Sequence, residues 1–110
     1  MYDIIINELS FEWNEEKNEI NKKKHGISFE EAASVFFDDY ARIYFDLAHS
    51  SSEERYILIG TIKTAIVVVC HCYVENNIIR INSARKATRK ESSVYKNEKH
   101  KRKRFIRFRR

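Results

Sequence analysis

The sequence predicts an α+β domain: two N-terminal helices packed on a four-stranded antiparallel sheet, followed by a C-terminal helix. Three observations predict it. Apolar residues recur at helical spacing as far as Phe37, the period changes to strand alternation from about residue 42, and Thr88 to Glu91 forms a capping pattern that opens one more helix. The domain is expected to span residues 11 to 97, after an extension at 1 to 10 and before a flexible basic tail at 98 to 110.

With two glycines and no proline in 110 residues, element boundaries must come from caps. Asn14 suits an N-cap for a helix running to about Lys24, with Glu15 and Glu16 at its positive end and Lys22, Lys23, Lys24 and His25 at its negative end. Gly26 reads as the stop. Its apolar residues, Trp13, Ile20 and Ile27, recur every seven positions as a narrow stripe suited to lying across a surface. Ser28 to Glu31 fits a capping box, and Phe29, Ala32, Ala33, Phe36 and Phe37 share one helical face.

Strand patterns follow at 42 to 47, 55 to 61, 65 to 74 and 78 to 84, with a polar loop at 49 to 53. Gly60 is expected to join the second strand to the third, which is the most apolar and reads as central. Glu75-Asn76-Asn77 suits a tight turn, because Asn tolerates left-handed backbone. The result expected is an antiparallel meander.

The formal net charge of +5 is unevenly placed. Residues 98 to 110 hold eight Lys/Arg and one Glu, a net of +7, which leaves the other 97 residues at −2. A nucleic-acid surface on the body must therefore come from local clustering of cations. The start of the chain shows no secretory leader, the longest aliphatic run (Ala65 to Cys70) is too short to cross a membrane, and two cysteines make no disulfide framework, so a cytoplasmic location is expected. Cys70, His71 and Cys72 would alternate across a strand and leave too few ligands on one side for a closed zinc site; no metal or cofactor is expected.

Phe11-Glu12-Trp13 with Lys17, Asn21, Lys24, His25, Gly26 and Ile27, then Glu54-Arg55 with Gly60, then the run from Arg80 to Glu91, occur in the order that resembles the BrnT family. The pairing of the lysine-histidine-glycine segment with the serine-alanine-arginine segment is specific, and the likeness covers about residues 11 to 97. The resemblance implies a RelE-like ribonuclease, the toxin of a type II toxin-antitoxin pair. It further implies silencing by a BrnA-like ribbon-helix-helix antitoxin, which reaches operator DNA only as the complex.

A ribonuclease needs little of its protein, since the RNA 2′-hydroxyl is the nucleophile. A base near that oxygen, cations around the phosphate and a proton for the leaving 5′-oxygen suffice without metal. Under the resemblance, Lys24, His25, Arg55, Arg80 and Arg85 are the expected catalytic residues, with Lys86 and Arg89 as further RNA contacts. By spacing alone His25 is an ordinary helix stop, and it becomes an acid or base only through the family likeness. Arg80 and Arg85 suit bidentate phosphate binding, but five positions apart they face opposite ways unless the strand ends or bulges near Ser83. Of Glu54 and Arg55, Arg55 is the expected lining residue. The rival reading is a module that binds RNA or antitoxin without cutting.

Overall fold

A computed structural model describes residues 2–6, 9–75 and 78–109, with side chains described over 9–75 and 78–102. In chain order the elements are β1 (Tyr2–Ile6), β2 (Leu9–Trp13), α1 (Glu15–His25), α2 (Phe29–Ser34), β3 (Arg42–Phe45), β4 (Tyr56–Ile62), β5 (Ala65–Val74), β6 (Ile78–Lys86) and α3 (Arg89–Arg109). Short 3-10 turns follow α2 at Val35–Phe37 and β3 at Leu47–His49.

The fold is α+β with three helices, but the sheet is larger than the four antiparallel strands expected. Six described strands lie in the order β1-β2-β6-β5-β4-β3, antiparallel except for the β2–β6 pair, which is parallel. Of the additional strands, β1 lies in the segment expected to precede the domain and β2 runs from the end of that segment to Trp13. The signal for β2 is present in Leu9, Phe11 and Trp13, which alternate with Ser10 and Glu12; assigning Trp13 to a helical stripe hides it. Phe11 and Trp13 are fully buried strand residues, whereas Ile20 is 55% exposed.

What α1 buries instead is polar. The Asn18 side chain, fully buried, donates to Glu15 and Glu30 and accepts from the Phe29 backbone N–H at 2.8 Å. Asn21 donates to the carbonyls of Ile27 and Ala84, both at 2.8 Å, and accepts from the Ala84 N–H at 3.2 Å. These bonds tie the helix to α2 and to β6 in place of the missing apolar stripe. The local caps are those the residues predict: Asn14 accepts from Lys17 N–H, Gly26 ends the helix at φ 71°, and Ser28 with Glu31 forms the full capping box of α2.

One face of the sheet packs under α1 and α2, where Phe11, Trp13, Ile27, Phe29, Val35, Leu58, Val67, Val69, Ile79, Ile81 and Ala84 make the main core. The opposite face carries a smaller cluster of Ile59, Val68 and Tyr95, with Tyr95 coming from α3. Tyr95 donates to Asp38 at 2.6 Å, and Asp38 also accepts from the backbone of Tyr40 and from both the N–H and the hydroxyl of Thr61. Burial pushes the Tyr95 phenol up to about 12, with the Asp38 hydrogen bond adding to it. Burial also works against the Asp38 carboxylate, but the four hydrogen bonds outweigh it and its pKa is lowered.

Gly60 lies inside β4 and is not the joint between strands; that joint is the two-residue turn at Lys63 and Thr64, with Lys63 at φ 54°. A Cβ at Gly60 would come within 2.6 Å of Val35 and 3.1 Å of Asp38, so the glycine is needed for close packing. The turn expected at 75 to 77 lies mostly outside the described residues. The backbone of α3 continues through the basic tail to Arg109.

Candidate active site

The register of β6 decides where the arginines point. Cys70 pairs with Ser83 and His71 with Ile81, so β6 holds one more residue than β5 at this place, and Asn82 is the bulged residue. Ile79 and Ile81 before the bulge, and Ala84 after it, all enter the main core. Arg80 and Arg85 consequently both face away from that core, on the α3 side of the sheet.

On that side a cleft is lined by Asp46, His49, Arg55, Ile57, Val68, Cys70, Ser83 and Arg85. Its residues come from the loop after β3, from the approach to β4, and from β4, β5 and β6. The loop is held by a few short bonds. Asp46 N–H donates to the Arg55 carbonyl at 2.8 Å, while the Ser50 hydroxyl donates to the Asp46 carbonyl at 2.6 Å and accepts from Arg55 N–H at 2.9 Å. Asp46 and Arg55 are thereby fixed relative to each other before any ligand is present.

Each cleft arginine has a carboxylate partner. Arg85 grips Glu91 of α3 through two parallel bonds of 2.8 and 3.0 Å. The Arg85 hydrogen bonds hold the Glu91 carboxyl down at about 2, helped by the Thr88 N–H in the capping box of α3. Arg55 meets Glu53 more loosely, at 3.3 Å, and its Nε is shielded from solvent without a hydrogen-bond partner among the described residues. Glu54 is exposed and accepts from the Tyr56 hydroxyl, so Arg55 is the member of that pair in the cleft. Arg80 sits further along the same face of β6 and is clamped by Glu12, its parallel neighbour on β2, at 2.8 and 2.9 Å.

The structure thus groups Arg55 with Arg85, and places Arg80 on their face. It separates Lys24 and His25 from them. Those two residues end α1, on the opposite side of the sheet, because α1 is bonded to β6 through Ala84, whose side chain lies in the main core. Lys86 belongs with them, since it lines a second cleft with Gly26 and Ile27, the residues that follow His25. Arg89 is exposed at the first position of α3.

The cleft also contains side chains that motif reading passed over. His49 Nδ1 lies 2.8 Å from Asp46 Oδ2. A histidine three residues after an aspartate in a polar loop carries no signal until the loop folds against β4 to β6. His71, by contrast, is fully buried against Phe36 with ring centroids 4.9 Å apart, and burial pushes its pKa down. Cys70 lines the cleft with its thiol pushed up by burial, and Cys72, two residues further along β5, is buried. Among the described residues no three His, Cys, Asp or Glu side chains come together as a metal site requires, and no helix is long and apolar enough to cross a membrane.

Residues 13–91 match a family described as the ribonuclease toxin, BrnT, of type II toxin-antitoxin systems. Among solved structures, the ribonuclease toxin BrnT of Brucella abortus is similar: it shares 25% sequence identity over 70% of this chain and 94% of that chain, with a TM-score of 0.56. No curated protein sequence matches. Because the family match takes in most of the chain, from β2 through the cleft arginines to the carboxylate that grips one of them, this protein belongs to the BrnT family of type II ribonuclease toxins.

Proposed function

We propose that this chain is a metal-independent endoribonuclease that cuts single-stranded RNA or mRNA by attack of the 2′-hydroxyl on the adjacent phosphate, leaving a 2′,3′-cyclic phosphate and a 5′-hydroxyl. The observation that carries the proposal is the convergence of Arg55 and Arg85, from separate parts of the chain, on one cleft. Two guanidiniums can bind both non-bridging oxygens of a phosphodiester and stabilise the extra charge of the pentacoordinate transition state. Ile57 and Val68 form an apolar floor beside them, which lowers the local dielectric and strengthens that interaction.

The other expected residues take supporting roles in this reading. Arg80 extends the cationic face along β6, with Arg89 at the start of α3. Lys24 and Lys86 form a second cationic group where α1 ends, with His25 beside them as a hydrogen-bonding side chain, suited to phosphates flanking the cut. In the cytoplasm an antitoxin, BrnA-like and of the ribbon-helix-helix class, would silence the chain by covering these cations and would carry the pair to operator DNA.

A single-stranded RNA labelled at its 5′ end, incubated with the purified protein in EDTA, tests the reading. Cleavage is expected in chelator, with a cyclic phosphate product and no cutting where the 2′-hydroxyl is replaced by hydrogen. Dependence on a divalent ion, or cutting of the 2′-deoxy strand, overturns the mechanism. Tight RNA binding without any cutting would favour the binding module, a reading supported by the carboxylate partners that Arg55, Arg80 and Arg85 already hold.

A further inference from the structure

We propose that His49 is the general base of this cleft, with Asp46 as its positioning residue; the assignment rests on the ribonuclease reading above. The geometry points to a base. The Asp46 carboxylate can only accept a hydrogen bond from the imidazole, so the 2.8 Å contact places the ring proton on His49 Nδ1. In the neutral ring this leaves the lone pair on Nε2. The same division of labour, a carboxylate fixing the tautomer of an imidazole that takes a proton from a hydroxyl, operates wherever an Asp-His pair activates an oxygen nucleophile.

Position supports it. The Asp46 side chain is 14% exposed and that of His49 is 67% exposed, so the anchor is inside and the working nitrogen can reach a substrate. Both residues line the cleft that holds Arg55 and Arg85. The Ser50 bonds that join Asp46 to Arg55 set the base and one phosphate ligand in a common frame. His25 lies on the other side of the sheet from these arginines.

In the step proposed, His49 Nε2 takes the proton of the 2′-hydroxyl as the 2′-oxygen bonds to phosphorus. The bond from phosphorus to the 5′-oxygen breaks, and the departing oxygen takes a proton from water. The imidazolium returns its proton to the hydroxide so formed, which restores the neutral ring. Asp46 stabilises the imidazolium in between without itself accepting the proton.

The test compares single-turnover cleavage, RNA affinity and thermal midpoint in the full-length wild type and in His49→Ala, His49→Gln and Asp46→Asn. His49 is exposed, so both of its variants are expected to fold with nearly unchanged midpoints. Each should lose about 100-fold or more in rate while RNA affinity stays within roughly threefold. Added imidazole should restore part of the rate to His49→Ala. Asp46→Asn should also cut slowly at unchanged RNA affinity, because an amide can present its N–H to the ring and stabilise the wrong tautomer. Wild-type protein that never cuts RNA overturns the His49 role together with the ribonuclease reading. Wild-type protein that cuts, with folded His49→Ala cutting at the same rate, overturns the His49 role alone and leaves the arginine cleft standing. A 100-fold loss in His25→Ala alongside a near-normal His49→Ala does the same.

Discussion

Replacing Glu91 with glutamine probes the bond that joins α3 to the cleft. A carboxyl held at about 2 instead of its ordinary 4.5 corresponds to about 3 kcal/mol if taken whole. Arg85 is 41% exposed and Glu91 22%, so solvent screening reduces the contribution to about 1–2 kcal/mol. Glu91→Gln should therefore lower the thermal midpoint at pH 7 by about 4–10 °C. The sign with pH follows from the depressed carboxyl. The stabilisation is fully present above the unfolded value of 4.5 and is lost as pH falls toward 2, so the two proteins should converge in acid, with less than half the difference left at pH 3. Freed of its partner, the Arg85 fork opens to phosphate, and single-stranded RNA should bind more tightly to the variant at pH 7. Thermal unfolding across pH, paired with fluorescence anisotropy on labelled RNA, measures both. Equal midpoints at pH 7, or a midpoint difference that persists unchanged into acid while both proteins remain folded, would refute the assignment of this stabilisation to the Arg85–Glu91 bond.

Two further perturbations address the fold and the tail. Asn21→Leu should cost about 3 kcal/mol or more in urea unfolding, because it removes the partners of the buried Ile27 carbonyl and of both backbone groups of Ala84; a loss below about 1 kcal/mol would show that these groups find other partners. Ending the chain at Asn97 removes a net charge of +7 yet keeps Tyr95 bonded to Asp38, so polyanion binding should weaken and lose much of its salt dependence with the fold intact. An unfolded truncation product would instead place the tail within the domain.

Local chemistry was legible from the residues alone. Asn14, Ser28 and Thr88 cap helices through partners three positions away, and Gly26 supplies the one left-handed glycine at a helix end, so each of these features depends on a handful of neighbouring residues. The β3 to β6 order was readable too, since consecutive antiparallel strands need only alternation and short joints. Tertiary structure decided the rest. Whether β2 pairs with β6, and hence that Glu12 clamps Arg80, depends on strands more than 60 residues apart, which no local pattern encodes. The bulge at Asn82 puts Arg80 and Arg85 on one face, and it exists only relative to the register of β5. His49 is the clearest case. In the sequence it is a histidine in a polar loop; in the fold, Ser50 and Arg55 draw that loop against the sheet and bring an imidazole into the cleft that Arg55 and Arg85 line, an arrangement of non-local origin.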